Sequence, residues 1–241
     1  MKVFTDDKYL ITSFKRFVEI VEERHSPTTI KPYQWYFRGH SNLDYKLMPS
    51  IGRLLGTERF PTVKHVEEAE KNAFSQFEIQ TYSDLREPNL FILLAIAQHH
   101  GLKTRLLDWT LSPLVALFFA VENESKTDGA FFAFNAQKKL TTILRKTESP
   151  FDDLGSSYQY LSIPSLTPRI SAQSGIFQLF REPTKPFEDA NYLEKFIIPE
   201  SAKRDIKIDL NNFGVSYYTL FPDLDGLSKK LNYILLNEKP Y

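Results

Sequence analysis

Apolar residues recur along this chain with two periods, and the switches between them lay out most of its elements. Over residues 8–24, Leu10, Ile11, Phe14, Phe17, Val18 and Val21 fall three and four apart, which predicts an amphipathic helix. Two prolines within Ser26–Pro32 end it. Gln34–Phe37 reads as a short aromatic strand running into Arg38-Gly39. Residues 40–61 are irregular, and a charged helical pattern from Thr62 to Tyr82 stops before Pro88. Asn89 is placed to cap an apolar helix, Leu90–His100, and Gly101 to terminate it. Thr104–Thr110 has strand character. Ser112-Pro113 then supplies an N-cap and a first helical position for a helix reaching Glu122. Gly129–Asn135 is a buried strand, and Ser, Thr and Pro concentrate in 140–168, which predicts a loop insertion. Strands are expected at Ser171–Phe180 and Leu193–Ile198, and a helix at Ser201–Phe213 ended by Gly214. A turn at Leu220–Gly226 and a last helix at Leu227–Leu236 follow. Without an internal repeat or a shift in composition, the expectation is one α+β domain over 1–241, with 1–32 as a helical lead-in.

Composition narrows the setting. The 241 residues are enough for a sizeable core. Thirty basic against thirty acidic side chains leave no net charge, which argues against a generic binder of nucleic acid or acidic membrane. Zero cysteines exclude disulfides, thiolate zinc sites and cysteine nucleophiles, and fit a reducing compartment. The apolar runs Leu90–Ala97 and Leu114–Val121 are too short to span a bilayer, and Met1–Leu10 has no signal-peptide core. A cytoplasmic protein without a membrane partner is expected. The unusual number is 20 Phe and 12 Tyr, which predicts aromatic-rich packing.

Candidate chemistry gathers in the centre of the chain. Strand alternation puts Thr104, Leu106, Asp108 and Thr110 on one face and Arg105, Leu107 and Trp109 on the other. Asp108 and the two threonines, leading into a helix N-terminus at Ser112, form a hydrogen-bonding ledge beside an anion site; alternatively Asp108 and Thr110 cap turns and Arg105 forms a structural ion pair. Arg38, ending an aromatic strand before Gly39, needs an anion, supplied by a ligand or by an internal carboxylate. Gly39 lets the backbone bend or a ligand come close. His99 and His100 fall in the last turn of a helix, where the dipole favours a cation. The five histidines show no metal-binding spacing, so no metal is predicted. A Walker loop, Gly-x-Gly-x-x-Gly and Gly-x-Ser-x-Gly are all missing. Alternation through Arg169–Phe177 would place Arg169, Ser171, Gln173 and Gly175 on one face, and Asp223 and Asp225 stand as caps before the last helix.

Several segments together resemble the FRG domain, a bacterial family marked by a Phe-Arg-Gly tripeptide, here Phe37-Arg38-Gly39. The others are Pro49-Ser-Ile-Gly-Arg53, Ala97-Gln-His-His-Gly-Leu-Lys-Thr-Arg-Leu-Leu-Asp-Trp-Thr110 with Ser112-Pro113, Arg169-Ile-Ser-Ala-Gln-Ser-Gly-Ile-Phe177 and Phe221-Pro-Asp-Leu-Asp-Gly226. The order of elements also resembles the ADP-ribosyltransferase superfamily, which implies a split mixed or antiparallel sheet flanked by helices, with NAD as ligand or substrate. By that resemblance Arg38 and Gly39 would meet the nucleotide phosphate, with His99, Arg105, Thr110 and Ser112 also on the cofactor. Asp108 and Gln173 would hold the catalytic positions. Gln173 stands where the superfamily pattern has Glu. Either another carboxylate (Asp108, Asp223 or Asp225) serves instead, or the fold binds a nucleotide without transferring ADP-ribose. A non-catalytic nucleotide-binding or sensor module and a metal-dependent hydrolase are the rival readings. The family context implies a bacterial toxin or phage-defence effector, with a macromolecular acceptor or a cognate inhibitor protein as partner.

Overall fold

The computed structural model describes residues 7–25, 34–83, 89–123, 126–136, 141–142, 149–152, 156–163, 167–189 and 191–237. The expected break at Ser26–Pro32, Pro88 and parts of 140–168 lie outside them. Among the described residues the chain is a mixed α+β fold. Its strands are β1 (Gln34–His40), β2 (Leu106–Thr110), β3 (Gly129–Ala136), β4 (Thr141–Thr142), β5 (Tyr158–Ser162), β6 (Gly175–Phe180) and β7 (Leu193–Ile198). The helices are α1 (Phe14–His25), α2 (Val63–Thr81), α3 (Leu90–His99), α4 (Pro113–Val121), α5 (Pro168–Ala172), α6 (Glu200–Asn212), α7 (Tyr217–Leu220) and α8 (Leu224–Asn237).

Local chemistry sets several of these boundaries. Asn89 accepts from the Phe91 amide at the start of α3, and Gly101 takes a φ of 95° just past its end. Ser112 accepts from the Val115 amide at the start of α4, with Pro113 in the first turn.

One sheet runs in the order β4-β5-β6-β2-β1-β3-β7, antiparallel throughout except for the parallel β4–β5 pair. Its middle is weakly stitched. β1 pairs with β3 from Gln34 to His40 and β2 with β6 from Leu106 to Thr110, whereas β1 and β2 share the single register pair Phe37–Thr110. The sheet is therefore two antiparallel halves joined at a short seam.

Each face carries its own core. On the face shared by Phe37 and Thr110, helices α1, α4 and α6 cover β1, β3 and β7 through Phe17, Phe118, Phe131, Phe196 and Ile206. Helices α2 and α3 cover β2, β5 and β6 through Phe74, Phe91, Leu94, Leu161 and Leu179. The opposite face holds an aromatic cluster of Tyr36, Trp109, Phe134, Tyr160, Phe180 and Phe187. The many Phe and Tyr residues are thus spent largely on packing. Helix α4 lies directly on β1: a Cβ on Gly39 would stand 1.9 Å from the Ala116 carbonyl oxygen.

The structure corrects three expectations. Tyr158–Ser162, inside the expected loop insertion, is strand β5, paired with β6. The strand expected from Ser171 begins at Gly175, because Thr167 caps α5 by accepting from the Ile170 amide and Pro168 opens it. Arg169, Ser171 and Gln173 therefore do not alternate on a strand face. The turn expected at Leu220–Gly226 is shorter, since α7 ends at Leu220 and α8 begins at Leu224.

Candidate functional site

A cavity of about 210 Å³ opens over the seam. β1 and β2 supply Arg38, Gly39, Asp108 and Thr110 to its lining, α3 supplies Gln98 and His99, and α4 supplies Ala116 and Phe119. Arg169 of α5 and Gln173, which follows it, complete the polar lining.

Arg38 bridges the seam. Its Nη1 donates to the Asp108 carbonyl oxygen, in place of a backbone ladder bond, and lies 4.0 Å from the Asp108 carboxylate. Its Nε donates to His40 Nε2 at 3.0 Å, and His40 Nδ1 in turn donates to the Tyr45 carbonyl at 3.1 Å. Both bonds require the neutral imidazole tautomer protonated at Nδ1. Burial, and then the positive charge of Arg38, push the His40 pKa down to about 2, so the ring stays neutral. Burial also lowers Arg38 to about 10, which leaves it protonated at neutral pH.

Asp108 is the carboxylate of the cavity. Its side chain is 58% exposed, but into the concave cleft, and protein on several sides raises its pKa by weakening its solvation. Arg38, then a hydrogen bond from Gln98, oppose that rise. Gln98 Nε2 donates to Asp108 Oδ1 at 2.6 Å, while Gln98 Oε1 accepts from the hydroxyl of fully buried Thr104. Thr104 thus orients Gln98, and Gln98 orients the carboxylate.

The remaining expected site residues divide. His99 lines the cavity, its pKa lowered by burial and then by the charge of Arg169. The Thr110 hydroxyl is used within the protein: it donates to the Gln173 carbonyl at 2.7 Å and accepts from the Ser112 amide at 3.0 Å. Gln173 lines the cavity, and its side-chain Nε2 donates to the Leu220 carbonyl at 3.0 Å. Gly39 lines it too, while giving α4 its close approach. Ser112 is not in the lining and serves as the α4 N-cap. Arg105 is the clear correction. It turns away from the cavity, 2.9 Å from Glu70 of α2, with both side chains almost fully buried. Glu70 also accepts from the Arg105 backbone amide at 2.6 Å. An arginine this buried is satisfied by the internal carboxylate, leaving no cofactor role.

Among the lining residues quoted within motifs but not expected in the site, Gln98 and Arg169 carry the polar chemistry. For Gln98 a signal existed: ten residues from Asp108, it lies in the last turn of a helix whose C-terminus leads into that strand. For Arg169 the cue was Thr167-Pro168, an N-cap and first-turn pair that turns the segment into a helix. Among the described residues no group of three or more His, Asp or Glu side chains is arranged to hold a metal ion. No described helix is long and apolar enough to cross a membrane.

Fold and site define an α+β domain with a charged cleft over a sheet seam. The FRG domain family model matches residues 33–129, a span running from β1 through α4 to the first residue of β3. Over that span the chain is similar to the FRG domain, and most of the cavity lining lies within the matched span. No curated protein and no solved structure matches it.

Proposed function

We propose that the cleft binds NAD or a related nucleotide and that the chain is an NAD-consuming, ADP-ribosyltransferase-like enzyme. The observation that carries this reading is Asp108, the one carboxylate among the described lining residues, in a cavity that also holds Arg38 and Arg169. Two guanidinium groups against one carboxylate favour an anionic ligand. The split between β1 and β2 agrees with the divided sheet that the superfamily resemblance implies.

In such a reaction the bond between ribose C1′ and the nicotinamide nitrogen breaks, and its electron pair leaves with nicotinamide. The ribosyl carbon becomes an oxocarbenium-like cation. The Asp108 carboxylate stabilises that charge, and a nucleophile on an acceptor, or water, donates an electron pair to C1′ and loses a proton. Gln173 has no charge to offer and its amide is engaged by Leu220, so the electrostatic role falls to Asp108. The bacterial toxin or phage-defence setting, the cytoplasmic location, and an acceptor or inhibitor protein as partner belong to the same proposal.

Asp108→Asn tests it. Nicotinamide release should fall by about 10²–10³-fold, the cost of removing one preorganised transition-state contact, while NAD affinity stays within about threefold. Equal loss of binding and turnover, with a lowered melting temperature, would make Asp108 a structural residue. The second reading, a nucleotide-binding module without turnover, draws on the neutral, engaged Gln173 and would show as binding with no nicotinamide released.

A further inference from the structure

Arg38 and Arg169 both line the cavity, but the protein uses them differently. Arg38 spends Nε on His40 and Nη1 on the Asp108 carbonyl, both acceptors of its own fold. Arg169 is half-buried, and its side chain makes no hydrogen bond and no salt bridge with the described residues. Its one close partner is the Phe221 ring, whose centroid lies 4.4 Å from the guanidinium carbon. A ring face holds a guanidinium in place and leaves its in-plane N–H donors open. Burial lowers the Arg169 pKa, and the charges of Asp108, Asp223 and Glu122 oppose that fall without contacting it. A partly desolvated arginine with five unused donors beside a cavity is costly, and an entering anion removes that cost.

We propose that Arg169 is the phosphate-binding residue of this cleft. Its ligand group is a phosphate or pyrophosphate ester, taken by the open fork of the guanidinium. Arg38 is then a positioning residue that clamps the seam and sets Asp108, and not the main phosphate contact. That the phosphate belongs to a nucleotide rests on the reading above; the anion site itself does not.

The test is isothermal titration of the intact protein with inorganic pyrophosphate and, separately, with NAD. Wild type, Arg169→Gln, Arg169→Lys and Arg38→Gln are compared, each with its melting temperature. Arg169→Gln should weaken pyrophosphate at least tenfold at an unchanged melting temperature, and Arg169→Lys, which keeps the charge without the fork, should fall between it and wild type. Arg38→Gln should lower the melting temperature and change pyrophosphate affinity less than Arg169→Gln does. A wild-type protein that ignores pyrophosphate, or an Arg169→Gln variant that binds it normally, would overturn the assignment. Pyrophosphate binding that depends on Arg169, without NAD binding, would keep the anion site and remove the nucleotide reading. NAD binding indifferent to Arg169→Gln would do the reverse.

Discussion

Burial pushes the Asp108 carboxyl up and the His40 imidazole down, so both groups are biased toward their neutral forms. For Asp108 the folded pKa exceeds the unfolded one, so the folded state binds more protons between the two and stability falls as pH rises through them. Asp108→Asn should therefore raise the melting temperature at neutral pH, a gain that shrinks as pH falls through the raised folded value and is gone below the ordinary carboxylate value. Thermal melts of both proteins from pH 7 to pH 4 check this. In turnover, the same shift places the acid limb of the pH–rate profile above that of an ordinary aspartate. For His40 the sign is opposite. Its stability contribution is complete above the unfolded value near 6.5 and is lost as pH falls toward about 2, by up to roughly 1.4 kcal/mol per pH unit for one proton. An NMR titration should find the His40 ring unprotonated down to pH 5. At this scale the sequence carried much of the cleft: Arg38, His99, Asp108 and Gln173 do meet in one cavity. Arg105 takes the structural ion-pair alternative and not the cofactor position that the resemblance implied; its partner could not be named from the sequence, because Glu70 lies thirty-five residues earlier.

Among the elements, α2 is tied to the residue just before β2 by the Glu70–Arg105 pair, and α4 sits on β1 through Gly39. Glu70→Ala would leave a buried guanidinium uncompensated and should cost about 3–5 kcal/mol in chemical denaturation. Gly39→Ala forces a methyl group into the α4 backbone and should cost about 3 kcal/mol, or block folding altogether. Elements with strong local chemistry were legible, as at Asn89, Gly101 and Ser112-Pro113, because a cap is decided within a few residues. Helix α5 was not, since five residues are too few for a 3.6-residue period to show against the alternation that continues into β6. Strand β5 was hidden by its polar surroundings; Tyr-Gln-Tyr-Leu-Ser becomes a strand through its pairing with β6, a tertiary effect.

Across the whole molecule the decisive feature is the seam. Continuous pairing of β1 with β2 would close the floor of the cavity, whereas one register pair leaves room for Arg38 to cross and for Asp108 to face a cleft walled by α3 and α4. Pairing register is set by contacts between distant segments, so composition and periodicity carry no sign of it. The central claim is that this cleft binds and consumes NAD, and the most direct measurement is calorimetric titration of the wild-type protein with NAD, followed by assay of the same sample for free nicotinamide. Saturable binding with nicotinamide released is the predicted result. The absence of both heat and nicotinamide would contradict it.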